Sequence, residues 1–508
     1  MLKHIESLIL SLLLFLSHCS LTQISRNKRT TEVQLLSQEV QSIAANQFQP
    51  QIEEIINNPA LDPVFLSIQI AEYPTGEVLY SLNPKKLMIP ASNLKLFTTI
   101  SSLILLGPDY RYKTYLYRDG VIENGILAGN LYLKGSGDPT ISTQIDSANY
   151  FNLFQVWADS LKSLGIHQIN GTIIGDDNAF DDLGLGHDWS WDDLSYHYAA
   201  PTSALSYYDN CIDIYIVPGN SIGTNARIMA KPLINYVKIK NNICTVSQDS
   251  ITKIEFYRYP GKDEVTVDGI IAINADTIKE RIPVDNPTDY TLNAFKFILE
   301  QNGIRVSDLS DIDEIPDYCP DFNKMHLIYV HESMPLSQII KTINKISQNF
   351  YAEQLLKTLG QELGNNGTTQ SGIAIEKEWF SSIGINTVDI AIIDGSGLSH
   401  NNLVTTEQII KLLWYVRSHQ DWQIFRESLS IGGQDGTLQH RLKVSTAAGH
   451  VYAKTGSMKN VRALSGSIYA LNGREYLFSI LVNHYSASAC EIDKLLDQIV
   501  TLIYNYND

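Results

Sequence analysis

Three short clusters of residues in this chain have the types and spacing that nucleophilic chemistry needs. In Pro90-Ala91-Ser92-Asn93-Leu94-Lys95 a serine stands three residues before a lysine. Apolar residues then recur at Leu94, Phe97, Ile100, Leu103 and Ile104, the spacing of a helix, and Gly107-Pro108 supplies its stop. On a helix the Lys95 amine lies one turn from the Ser92 hydroxyl, on the same face. A lysine held against an apolar wall has a lowered pKa, and its neutral amine can take the proton of a serine nucleophile. Ser250-Ile251-Thr252-Lys253 repeats the spacing, but β-prone residues surround it and no helical run follows. The plain alternative for Ser92 is a helix cap.

Ser347-Gln348-Asn349 sits between two apolar-periodic runs, Ile339 to Ile346 and Phe350 to Leu359. A tight turn between two helices would aim both polar side chains into one cleft. Ser81-x-Asn83, Ser147-x-Asn149 and Ser399-x-Asn401 match the same pattern, so the setting alone distinguishes it. Lys454-Thr455-Gly456-Ser457 lies in a strand-like run that begins at Val451.

Other motifs read as turns or packing. Lys134-Gly135-Ser136-Gly137-Asp138-Pro139 lacks the Gly-Lys-Ser/Thr ending of a phosphate loop. Gly219-Asn220-Ser221-Ile222-Gly223 follows Pro218 and has no helix after it, which a nucleophile elbow requires. His326 and His331 do not make a metal pair, and the Gly-rich segments Asp394–Ser399 and Gly432–Leu438 read equally well as plain turns. Trp189, Trp191, Asp192, Asp193, Tyr196 and Tyr198 could pair carboxylates for glycoside hydrolysis, but an aromatic loop packing a domain edge is the preferred reading.

The elements that must position these groups fall into three blocks. Val64–Ile70 and Glu77–Tyr80 form a hairpin across Pro74-Thr75-Gly76, directly before the Ser92 helix. From Tyr110 to about Pro320 the chain is β-rich: Tyr112–Arg118, Ile126–Leu133, Ile169–Ile174, Ile212–Val217 and Ile254–Tyr257 read as strands, with a helix over Leu292–Leu299. From Leu336 it turns helical. Two strands meeting at Asn472-Gly473 and the helix Ile492–Tyr504 close it. Two N-terminal and three C-terminal strands make one five-stranded antiparallel sheet flanked by helices, with the β-rich stretch inserted.

The chain has 508 residues, 44% of them apolar, and a net charge of −17. That balance argues against nucleic acid as a partner, since phosphate binding needs a basic footprint. Lys3 and His4 precede an apolar run from Leu8 to Leu16, too short for a bilayer, so residues 1–22 read as an export signal. Leu16-Ser17-His18-Cys19 resembles a lipoprotein cleavage site, with His18 where a small residue belongs, and leaves membrane anchoring through Cys19 as an alternative. Val33–Ala45 reads as helical and carries no chemistry. Of the remaining cysteines, Cys211 and Cys244 are the pair to test for a disulfide; free thiols stand equal with it.

In this order, Ser92-x-x-Lys95, Ser347-x-Asn349 and Lys454-Thr455-Gly456 resemble the three signatures of penicillin-binding proteins and serine β-lactamases. The interval from Ser92 to Ser347 is too long for a β-lactamase. It suits the D-alanyl-D-alanine carboxypeptidase/endopeptidase family of penicillin-binding protein 4 type (peptidase family S13). Gly135–Pro139, Ala200–Leu205, Asp394–Ser399 and Asp435–Leu438 also look like that family, and Gln348 departs from its usual Asp or Asn.

The resemblance implies a mixed α/β (α+β) fold. A β-lactamase/transpeptidase-like catalytic domain would span 32–109 and 321–508, and 110–320 would be a β-rich insertion of two small subdomains. It implies a serine-type D-Ala-D-Ala carboxypeptidase, with endopeptidase action also open, working on peptidoglycan stem peptides. Ser92 would be the nucleophile, Lys95 the base, Ser347 the donor to the leaving amine and Asn349 a partner of the substrate backbone. Lys454 would supply positive potential, and Thr455, Gly456 and Ser457 would bind substrate. The amides of Ser92 and Ser457 would form the oxyanion hole. β-Lactams would acylate Ser92, no metal or organic cofactor is implied, and the Trp-rich segment would shape the site for the stem peptide's side chain. The rival readings are a β-lactamase or esterase using the same motifs, and a non-catalytic peptidoglycan-binding relative.

Overall fold

A computed structural model describes residues 48–62, 64–141, 152–234, 236–262, 264–316 and 318–507. The export signal, Cys19, the Val33–Ala45 stretch and Ser147-x-Asn149 lie outside the described residues. Among the described residues, no helix is long and apolar enough to cross a membrane.

The central sheet is antiparallel throughout. Its order is Ser430–Ile431, Val451–Met458, Val461–Tyr469, Glu475–Asn483, Phe65–Tyr73 and Val78–Leu82. The five expected strands are present, and a sixth, two residues long, joins the edge of Val451–Met458. Glu475–Asn483 is buried at all nine positions because both faces are covered. Leu477 and Leu481 meet the helices around Ser92, while Phe478, Ile480 and Val482 meet the closing helix Ala489–Asn505. A strand covered on both faces reads as an apolar run rather than an alternation.

The serine segment begins as a 3-10 turn, Ala91–Leu94, and continues as the helix Lys95–Leu106, capped by Gly107 at φ 85. Phe97, Ile100 and Leu103 are fully buried, each contributing roughly 1.5–3 kcal/mol. The helix is central, so its polar positions are buried as well, and all but Ser102 Oγ find a partner. Thr98 Oγ1 donates to the Gly395 carbonyl at 2.9 Å, and Ser101 Oγ donates to Glu376 Oε1 at 2.8 Å. Leu336–Ile346, Asn349–Gly364, Thr369–Ser382 and Thr406–Arg417 complete this helical layer.

The inserted stretch builds three further sheets. The largest is ordered His326–Glu332, Lys113–Arg118, Leu131–Lys134, Gln168–Asp176, Ile126–Ala128 and Val121–Glu123, with Arg305–Asp311 also on Gln168–Asp176. Its first strand therefore comes from beyond Pro320. The expected single strand Ile126–Leu133 is two strands, because Asn130 turns its amide to Asp119 Oδ1 at 2.6 Å instead of to a ladder partner. Two three-stranded sheets, around Glu264–Ala272 and Cys211–Val217, make up the rest. Cys211, Cys244, Cys319 and Cys490 are all free thiols, so the 211–244 bridge is not formed. Gly219–Gly223 is the turn after Cys211–Val217, as expected.

Candidate active site

The three motifs meet in one cleft of about 610 Å³, lined by Ser92, Ser347, Asn349, Thr455 and Ser457 among others. Each is delivered by a different device. Ser92 rides the 3-10 turn, with Ala91 before it at φ 46. Ser347 closes the helix Leu336–Ile346 in a left-handed conformation at φ 61, and Asn349 opens the next helix, so both side chains face the cleft. Ala91 and Ser347, two non-glycine residues at positive φ in the cleft's motifs, are the kind of local strain that functional sites tolerate. Lys454, Thr455, Gly456 and Ser457 come from the strand Val451–Met458, whose short neighbour pairs only with Ala453 and Tyr452. The strand edge at Thr455–Ser457 is thereby left without a strand partner.

Lys95 is fully buried, and its Nζ has three oxygen neighbours: Ser92 Oγ at 2.9 Å, Asn349 Oδ1 at 2.6 Å and the Ser396 carbonyl at 2.6 Å. Asn349 Nδ2 donates to the Tyr198 carbonyl at 2.7 Å, which fixes the amide with its oxygen toward Lys95. Burial pushes the Lys95 pKa down to about 7, against the opposing pull of Glu353 and Asp394. A neutral amine then gives its two N–H groups to the two carbonyl acceptors. Its lone pair is left for the Ser92 proton.

Lys454 is also fully buried, with Nζ 2.9 Å from Ser347 Oγ and 2.9 Å from the Thr455 carbonyl. Burial and the nearby Lys95 amine push its pKa well below the ordinary lysine value. Thr455 Oγ1 donates to Thr437 Oγ1 at 2.8 Å, so two hydroxyls line the same side of the cleft. Gly456 is needed for approach: a Cβ there would stand 2.6 Å from the Pro90 carbonyl oxygen.

The Trp-rich segment does more than pack a domain edge. Ser190, Asp192, Asp193 and Tyr198 line the cleft, and Trp189 Nε1 donates to Asp394 Oδ2 at 3.0 Å. The segment reaches the site because Asn349 and Asp394 offer buried polar atoms that it satisfies. Asp394–Ser399 is likewise more than a plain turn. The Asp394 carboxylate accepts from the Gly397 and Ser399 amides and from Asn402 Nδ2, shaping the loop that presents Ser396 to Lys95.

Gly135–Pro139 is a turn, and the Gly137 carbonyl accepts from Gln354 on the Asn349 helix at 3.2 Å. His331 Nε2 lies 3.4 Å from Asp138 Oδ2, away from the cleft-lining residues. Glu353, Asp394, Ser396 and Thr437 escaped the residue-by-residue reading of the site. The available signals were the family-like segments Asp394–Ser399 and Asp435–Leu438 and, for Glu353, its place one helical turn after Asn349.

The family model described as D-Ala-D-Ala carboxypeptidase 3 (S13) matches residues 48–503. A D-alanyl-D-alanine carboxypeptidase of Actinomadura sp. (strain R39) is 31% identical over 448 residues, covering 86% of this chain and 81% of that protein. The D-alanyl-D-alanine carboxypeptidase DacB of Haemophilus influenzae is 27% identical over 425 residues, covering 82% and 85%. The crystal structure of penicillin binding protein 4 from Haemophilus influenzae superposes with a TM-score of 0.79 at 24% identity, covering 89% of this chain and 98% of that one, and so shares its fold.

Proposed function

The chain belongs to the D-Ala-D-Ala carboxypeptidase 3 (S13) family, and from that premise we propose that it is a serine-type DD-carboxypeptidase, with DD-endopeptidase action, that cuts peptidoglycan stem peptides through an acyl-enzyme on Ser92. The observation that carries the reading is the environment of Lys95. Its amine is buried, has a pKa of about 7, and meets two carbonyl acceptors besides the Ser92 hydroxyl. That set of partners suits a neutral base.

In the proposed reaction Lys95 takes the Ser92 proton as Oγ attacks the carbonyl carbon between the two D-alanines. The amides of Ser92 and Ser457 hold the resulting oxyanion, the kind of donor whose removal costs roughly 3–4 kcal/mol in the transition state. The C–N bond then breaks. Ser347, backed by Lys454 at 2.9 Å, relays to the leaving amine the proton that Lys95 took from Ser92, so both lysines and both serines end the step in their starting protonation states apart from the ester on Ser92. The substrate lies along the strand edge at Thr455–Ser457 as an added strand, a mode in which backbone pairing supplies affinity. Its terminal carboxylate meets Thr455 and Ser457, and the incoming negative charge favours the protonated form of Lys454. Asn349 hydrogen-bonds the substrate backbone. Water then hydrolyses the ester on Ser92 and returns the free enzyme.

β-Lactams, which carry a strained amide in place of the D-Ala-D-Ala bond, acylate the same serine. We place the protein in the cell envelope, where its substrate is, exported by the leader at 1–22; lipid attachment at Cys19 is the alternative mode of retention. The test is release of D-alanine from a stem pentapeptide. Wild type should release it and Ser92→Ala should not; equal release by both would overturn the assignment.

A further inference from the structure

The same helix that supplies Asn349 supplies, one turn later, a buried acid that the mechanism above does not use. Glu353 is 3% exposed. Its Oε2 accepts the Gly395 amide at 2.9 Å and its Oε1 the Ser396 amide at 2.8 Å. The carbonyl of that same Ser396 is the acceptor 2.6 Å from Lys95 Nζ, and the Gly395 carbonyl is tied to Thr98 of the serine helix. The loop is pressed onto the Glu353 helix, since a Cβ on Gly395 would come within 2.7 Å of the Ala352 carbonyl oxygen.

We infer that Glu353 is a positioning residue for the reaction: by clamping the Gly395 and Ser396 amides it fixes the Ser396 carbonyl that aims the Lys95 amine at Ser92. The inference rests on the reading of Lys95 as the base. Asn349 and Glu353, four residues apart on one helix face, thus grip Lys95 from two sides, one directly and one through the loop.

The clamp also carries charge. Lys95 on the serine helix, Asp394 on the loop and Glu376 on the helix Thr369–Ser382 are the ionisable groups acting on Glu353 or feeling it, with Lys454 beyond Lys95. Burial and then Asp394 push the Glu353 carboxyl up to about 7, against the Ser396 hydroxyl and the two amides, whose bonds to both oxygens suit the carboxylate. As a carboxylate, Glu353 supports the charged form of Lys95. Geometry and charge can therefore be separated by substitution.

The experiment is the pH–rate profile of benzylpenicillin acylation for wild type, Glu353→Gln, Glu353→Asp and Lys95→Met, each first shown to melt cooperatively. Glu353→Gln should acylate at least about tenfold more slowly, because a displaced base costs rate steeply. Its acidic limb should also move about one unit to lower pH, because a carboxylate that favoured the ammonium is gone. Glu353→Asp keeps the charge but is one methylene too short to hold both amides, so the rate should fall and the limb stay. Wild-type rates and limbs in both Glu353 variants, beside an inactive Lys95→Met, would overturn the inference while leaving Lys95 as base. A slower Glu353→Gln with an unmoved limb would also overturn it, since general loosening would suffice. Should Glu353→Gln not fold, Glu353→Asp decides alone, and a wild-type rate there overturns the clamp. Lys95→Met acylating normally would instead remove the reading on which the inference rests.

Discussion

Gly456 and Pro90 are packed so closely that a Cβ at position 456 would stand 2.6 Å from the Pro90 carbonyl oxygen. The strand proposed to bind substrate and the turn that carries Ser92 are therefore held in contact through a missing side chain. Asn93 Nδ2, donating to the Lys454 carbonyl at 3.0 Å, ties the same two elements with a hydrogen bond. Gly456→Ala must push them apart. The expected cost is about 1–3 kcal/mol of stability, as for overpacked cores, with a larger proportional loss of β-lactam acylation. Thermal melts and acylation rates measured on the same preparation check this.

Acylation should rise with pH through about 7, because Lys95, as the proposed base, must be neutral to accept the Ser92 proton and burial brings its pKa there. Asn349→Asp places a carboxylate against the same amine, where Asn349 Oδ1 now lies 2.6 Å away. An opposite charge at that distance stabilises the ammonium, so the limb should move up by roughly 1–3 units. Stopped-flow acylation with a chromogenic cephalosporin across pH 5 to 10 reads both.

Ser347, the proposed proton relay, has its Oγ 2.9 Å from Lys454 Nζ. Ser347→Ala should slow D-alanine release on the order of 10²-fold or more, the usual contribution of a positioned proton donor. Its fold should be intact, because the Ser347 hydroxyl meets Lys454 and not the helix that the residue ends. Steady-state release of D-alanine beside a thermal melt distinguishes the two effects.

Glu376 gives the fold a pH dependence of its own. Burial pushes its carboxyl from the ordinary 4.5 up to about 8. Between those values the unfolded chain releases a proton that the native chain retains, so stability falls as pH rises through that window. Glu376→Gln cannot ionise. The drop in melting temperature between pH 5 and pH 8.5 should be smaller in the variant than in wild type.

The motifs were legible because each obeys a local rule. Ser92 and Lys95 share a helix face, Ser347 and Asn349 share a turn between helices, and Lys454 enters a strand. Order along the chain then supplied the family resemblance. The polar frame around Lys95 was not legible, since Asp394 and Ser396 act through backbone groups that a loop brings in from far along the chain. For the Trp-rich segment the residues alone point only to packing and the resemblance alone points to the site, because its place there depends on Asn349 and Asp394 lying beneath it. The break at Gly129-Asn130 was hidden too, because Asp119 and not strand propensity decides it.

The central claim is that Ser92 is an acylating nucleophile. Intact-protein mass spectrometry after incubation with benzylpenicillin, wild type beside Ser92→Ala, tests it most directly. Wild type should gain, persistently, the mass of one penicillin, and Ser92→Ala should gain none. The same adduct on both proteins, or an unmodified wild type with intact penicillin, would contradict it.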